Sequence, residues 1–318
     1  MLDVFTPVMP RTDREVLVGW LDLQTVLREL LYQGETAIHP LQQLEAIEKQ
    51  ALDLLKRNPD ESLFSLFQSL ADPSLSYCAT HALLSAVVCE LIAEKLGTAE
   101  PDRRVLFRAA LAMNIGMARD HDSLAQQSTA LLNDVQRKLI RKHPEYSLAI
   151  LQSFGVTDED QLDIVRWHHE PDESNGINRN LASRRLLRMA DGFVAKMAAR
   201  KTRLAMSPLS AAQSVYLGTH ADQANLASAM TTALGFYPPG TYVQLVNGEK
   251  AVSVKRGLRA NHPQVVSIVN PGGMPLNPCL FRDTNDPKYA IRSPFNAEKI
   301  KIKIDLEQVL KARSDRTV

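Results

Sequence analysis

The 318-residue sequence predicts a mainly α protein, a helical bundle followed by a small C-terminal β-hairpin or sheet element. Three observations predict it. From about Asp22 to about Leu217, apolar residues recur at helical spacing, with Pro and Gly mainly between the periodic segments. After Phe236 short β-branched runs replace that pattern. The hydrophobic content, 45 %, is too high for a disordered chain and enough to build a core. These shifts divide the chain into an N-terminal helical segment (1–62), a helical domain (63–235) and a β-containing extension (236–318).

One helix covers His81 to Gly97. Leu84, Val87, Val88, Leu91 and Ile92 share a face, Glu90, Glu94 and Lys95 lie away from it, and Gly97 stands where a C-cap belongs. The polar stretch Arg119 to Gln127 reads as a solvated loop, which makes its His121-Asp122 pair a decoy unless a shifted helix brings it inward. Another helix starts at Asn133, with Gln136 as its capping partner, and runs to His143-Pro144. A third opens at Thr157 with Asp160 and ends in Trp167-His168-His169-Glu170. Tyr242–Val246 and Ala251–Val254 flank Asn247-Gly248 as a β-hairpin should, and Val265–Val269 reads as a further strand. With five prolines, Asn270 to Asn296 reads as an extended loop before Lys299–Ile304 and a last short helix.

Charge and cysteine usage narrow the function classes. Against 37 Lys+Arg stand 36 Asp+Glu, so the chain as a whole announces neither DNA nor a membrane surface as partner. No run approaches the ~18 apolar residues of a membrane span, and Met1–Pro10 lacks a signal-type stretch. Three cysteines without a CxxC pair argue against a disulfide framework or a thiolate zinc site and fit a reducing cytoplasm. Cys78 and Cys89 are expected as buried, inert thiols and Trp167 as a core residue. One local excess stands out. Between Arg184 and Arg203, seven basic residues face the single acid Asp191, which marks this segment for phosphate.

The chemical signal lies in the histidines. His168-His169 at a helix end can swing toward one point, and neutral imidazole is the commonest ligand for a divalent metal. His81 and His143 lie near other helix ends, and Asp191 sits in Met189-Ala190-Asp191-Gly192. Ligands from successive helices are how a bundle builds a metal site in its core.

In this order the motifs resemble the HD-GYP branch of the HD superfamily of metal-dependent phosphohydrolases, whose typical members linearise cyclic di-GMP. His81 stands as the family's first histidine, His143-Pro144 as its His-Pro, His168-His169-Glu170 as its HHE, and Ala190-Asp191 as its Ala-Asp. Arg200 and Arg203 stand where the two arginines of Arg-Pro-Tyr-Arg stand, beside the phosphate pocket. Leu234–Thr241 and Asn247-Gly248-Glu249 resemble the domain's closing segment, so the likeness covers roughly Phe64 to Val269.

Two signatures are missing. In register, HDxGK is Met113-Asn114-Ile115-Gly116-Met117, and DGxGYP is Glu173-Ser174-Asn175-Gly176-Ile177-Asn178, which keeps only the second glycine. Asn114 has the shape of the family's bridging carboxylate without its charge, Met113 offers no imidazole and Met117 no cation. One metal position is therefore poor, with His81, Asp191 and at most the weak amide oxygen of Asn114. The other keeps His143, His168 and His169 and suits one divalent metal (Zn, Fe or Mn) or none. The resemblance implies a cytoplasmic signalling protein with crippled hydrolysis. It would bind cyclic di-GMP or a related nucleotide through Arg200 and Arg203, or a protein of the same pathway, or a second copy of itself as a homodimer. The alternatives are a residual one-metal phosphodiesterase and a ligand-free scaffold.

Overall fold

The helical half is built around one apolar helix. The computed structural model describes residues 11–129, 131–201, 203–216, 222–296, 300 and 305–314. Its elements begin with α1 (Arg11–Gln33), α2 (Pro40–Arg57), α3 (Pro59–Ala71), α4 (Tyr77–Lys95) and α5 (Glu100–Ala112). Then follow α6 (Ala118–Gln126), α7 (Asp134–Ser153), α8 (Glu159–Trp167), α9 (Leu181–Met197), α10 (Pro208–Tyr216) and α11 (Asp222–Leu234). Residues 78–89 and 91–93 of α4 are buried on every side, as in a helix apolar all round. By length and composition α4 could cross a membrane, but 83 % of its apolar window is buried inside the fold. Against it pack α1, α3, α5, α6, α9 and α11. Trp20, Leu23 and Leu27 of α1 and Ile47 of α2 belong to the same core as Leu83 and Val87, and the 62/63 boundary falls within α3.

Three helix ends differ from expectation. The stretch Arg119–Gln127 is not a solvated loop but α6, whose Ala118, His121 and Ala125 recur at helical spacing and are buried. That inward face holds only small residues and one histidine, so its periodicity is faint in the sequence. Helix α7 has the capping box expected at Asn133 and Gln136, yet it runs through Pro144 to Ser153. At α8 the cap is Asp158 rather than Thr157, its carboxylate accepting from the N–H groups of Asp160 and Gln161 at 3.1 Å each. Trp167 is only half-buried, with the Arg166 guanidinium 4.8 Å over its ring.

The C-terminal part is an antiparallel five-stranded sheet in the order β4-β3-β2-β1-β5. Its strands are β1 (Tyr242–Leu245), β2 (Lys250–Lys255), β3 (Gln264–Val269), β4 (Pro275–Asp283) and β5 (Ile291–Phe295). The expected hairpin is present, with Gly248 at φ +89° in its turn. The loop expected over Asn270–Asn296 instead supplies both edge strands. Pro275, Pro278 and Pro294 sit in those edges, where a missing N–H leaves no inner ladder bond unmade. The last helix, α12 (Leu306–Ser314), covers β3 and β4, and Lys299 and Lys301–Ile304 lie outside the described residues. Arg313 of α12 pairs with buried Glu61 of α3 and with Asp13 of α1 at 2.6 Å, joining the two ends of the chain.

Candidate metal centre

His143 is aimed by the proline beside it. Pro144 has no N–H, so the Ile140 carbonyl lacks its usual i+4 donor inside α7. That carbonyl instead accepts the His143 Nδ1–H at 2.8 Å. His168 is held in the same way by a different cause. It follows the last residue of α8, where carbonyls have no helical partner, and its Nδ1–H reaches the Val165 oxygen at 2.7 Å.

With both Nδ1 atoms protonated, each Nε2 carries a lone pair, and the two Nε2 atoms lie 3.3 Å apart. A proton between them would require an imidazolium. Burial opposes that: it pushes His143 down to about 4, helped by the neighbouring His169, and pushes fully buried His168 well below its ordinary value. Two converging lone pairs with no proton to share fit a cation. His169 completes the set, its ring centroid 5.0 Å from that of His143 and 4.1 Å from that of His168. One ligand nitrogen from each of the three lies within 4.8 Å of the others, and His169 is exposed, so the group opens to solvent. Backbone carbonyls behind two of the three imidazoles are the outer support that metal-binding histidines ordinarily have. The residues present therefore fit one metal ion.

The sequence-predicted partners His81 and Asp191 meet each other, His81 Nε2 lying 2.8 Å from Asp191 Oδ1. Burial alone would raise the Asp191 carboxyl, but the His81 hydrogen bond and the histidine charges around it hold it well below the usual carboxylate range. Unlike His143 and His168, His81 has no carbonyl behind it, and its buried Nδ1 is without a partner.

The substituted pentapeptide lies against α7, the helix that carries His143. Met113, Asn114 and Met117 are all buried, and the Asn114 Nδ2 has no hydrogen-bond acceptor. Gly116 is required there by close approach. A Cβ at this position would come within 2.5 Å of the Ser147 nitrogen and 2.7 Å of the His143 oxygen. Ser147 Oγ accepts from the Gly116 N–H at 2.9 Å and donates to the Met113 carbonyl at 2.8 Å, which fixes the pentapeptide on α7.

Most of the basic excess from Arg184 to Arg203 is engaged in the fold. Arg184, 2 % exposed, lies against Gly176, where any Cβ would strike its guanidinium, and 3.9 Å from Asp163. Arg185 binds Asp172, Arg188 the His169 carbonyl and Arg203 the Ala195 carbonyl at 2.7 Å. Arg200, like buried Arg184, has an Nε without a hydrogen-bond partner, and its guanidinium carbon stands 5.8 Å from the centroid of the Tyr77 ring. Of two further neighbours, the sequence reading left Tyr77 unremarked and set His121 aside. Tyr77 and His121 lie in ring contact with His81, at 5.3 and 5.1 Å between centroids. Cys78 and Cys89 are buried as expected, and burial raises both thiols.

Comparison with known proteins agrees with this geometry. The family model of the HD domain matches residues 65–223, half of the chain. Among solved structures the fold is similar to Bd1817, a HDG"Y"P protein from Bdellovibrio bacteriovorus. The two share 15 % identity with a TM-score of 0.53, over 73 % of this chain and 74 % of that one. No curated protein matches the sequence. With its histidines gathered from successive helices and half its length matched by the family model, the chain belongs to the HD-domain family.

Proposed function

We propose that the chain is a degenerate HD-GYP-like signalling protein. It holds one divalent ion, Zn²⁺, Fe²⁺ or Mn²⁺, on His143, His168 and His169, and it binds a phosphate-bearing ligand of the cyclic dinucleotide class without efficient turnover. The observation that carries this reading is the pair of unprotonated Nε2 atoms facing each other at 3.3 Å, each backed by a carbonyl. When bound, the ion supplies a Lewis acid for a phosphoryl oxygen.

The chain's own residues supply binding more readily than chemistry. Asp191 is engaged by His81, Asn114 offers an amide where a carboxylate would bridge two ions, and Met117 offers no charge. Each missing electrostatic contact to a developing charge commonly costs ~10²–10³ in rate. Exposed His169 supports entry of a ligand from solvent.

Metal analysis of protein purified without chelator tests the reading. One equivalent is expected, lost in His168→Ala, with no measurable hydrolysis of cyclic di-GMP. An absent ion overturns the metal assignment. Steady hydrolysis that depends on the ion favours the residual phosphodiesterase instead, a reading that the solvent-open face of the triad supports.

A further inference from the structure

Helix α6 brings a histidine to the site that the HD-type motifs do not account for. Asp122 on α6 accepts from the Cys78 N–H at 2.7 Å and from Ser76 Oγ at 2.8 Å, and it also accepts from the Tyr32 hydroxyl. With α6 stapled to the first turn of α4, His121 turns inward, 6 % exposed. Its ring stands 4.7 Å from that of Tyr77 and 5.1 Å from that of His81, and the Arg200 guanidinium carbon stands 5.8 Å from the centroid of the Tyr77 ring.

Four polar atoms in this cluster are buried without a hydrogen bond of good geometry: Tyr77 Oη, which has the Arg200 guanidinium close by, His81 Nδ1, His121 Nδ1 and Arg200 Nε. Buried polar groups are ordinarily hydrogen-bonded, so a concentration of unmet ones in mutual contact marks the place of a ligand. Three can donate. The hydroxyl and the guanidinium donate only or preferentially, and the neutral imidazole has one N–H. The carboxylate of the cluster, Asp191, already faces His81 at 2.8 Å. A donor-rich, acid-poor set with one guanidinium matches a phosphoryl group rather than a cation.

A second metal fits less well. Among the described residues the triad of His143, His168 and His169 is the group whose ligand atoms approach closely enough for an ion, and His81, His121 and Asp191 do not form another. We propose that Tyr77, His121 and Arg200 form an oxyanion seat that takes the phosphoryl oxygens of a phosphate ester, beside the metal-binding triad. The seat rests on the ligand-binding half of the proposed function and is independent of whether the triad is loaded.

Calorimetric titration of the full chain with inorganic phosphate, with and without chelator, tests the seat. Tyr77→Phe, His121→Gln and Arg200→Gln should each weaken phosphate binding by roughly tenfold or more, the scale of one lost hydrogen bond to a charged group. Metal content should stay at the wild-type value in all three. Phosphate affinity unchanged in all three variants, or no phosphate binding by wild type, overturns the seat. So does a metal stoichiometry that falls by one in His121→Gln, which would make His121 a ligand. If His121→Gln does not fold, Tyr77→Phe and Arg200→Gln decide alone. Loss of the triad's ion in His168→Ala with phosphate binding intact separates a failure of the metal assignment from a failure of the seat.

Discussion

Asp122 Oδ1 accepts the backbone N–H of Cys78 at 2.7 Å, a bond that reaches from α6 to an otherwise unpaired donor at the start of α4. The other carboxylate oxygen takes the hydroxyls of Ser76 and Tyr32, so one side chain ties α1, α4 and α6 together. Asp122→Ala leaves a buried-end donor and two hydroxyls unmatched and should cost ~2–3 kcal/mol, read as a lower urea midpoint. It should also weaken phosphate binding, because His121 loses its anchor. An unchanged midpoint would show that α6 is held by packing alone.

The histidine core gives the metal-free protein an acid-labile stability. Burial holds His143 at about 4, below its ordinary value near 6.5, and lowers His168 and His121 as well. Protons therefore bind the unfolded chain first as pH falls. The stability these rings contribute is complete above about 6.5 and is lost progressively as pH falls through about 4. Chelator-treated protein should show a urea midpoint that drops between pH 7 and pH 4.5. In His143→Gln the drop should be shallower, and an equally steep drop would remove His143 from the account.

Gly116 is a second point of control over the same histidine. A methyl group there meets backbone, not flexible side chain: the Ser147 nitrogen at 2.5 Å and the His143 oxygen at 2.7 Å. Either the pentapeptide lifts from α7 or α7 shifts with His143 on it. Gly116→Ala should cost ~1–3 kcal/mol, the usual range for overpacking, and should lower metal retention during dialysis. Retention equal to wild type would mean that the pentapeptide alone moves.

Much of this was legible in the sequence, and the residues that were not share a physical reason. His143-Pro144 and His168-His169 announce themselves because proline and helix ends free carbonyls, which then orient imidazoles. The hairpin at Asn247-Gly248 is equally local in origin. His121 was set aside because α6 buries only alanines beside it, so the face that turns it inward carries almost no hydropathy signal. Strands β4 and β5 were hidden by prolines that edge strands tolerate. The basic excess around Arg184–Arg203 misled for the opposite reason: composition records charge, while the fold pairs most of it with Asp163, Asp172 and backbone carbonyls.

Asn114 offers a test that depends on the ion itself. Its amide is 3 % exposed, its Nδ2 finds no acceptor, and it opens the turn that Gly116 presses onto α7 at His143. Replacing it by aspartate removes that unmet donor and installs a buried carboxylate, which is costly unless a cation faces it. In metal-loaded protein Asn114→Asp should therefore match or exceed wild-type stability. In chelator it should fall further than wild type does, by ~1–3 kcal/mol, the penalty of an unmatched buried polar group. The measurement is the urea midpoint with and without chelator for both proteins. A chelator effect of the same size in the two would place position 114 out of reach of the triad's ion, leaving Asn114 as packing rather than a remnant of a second metal position.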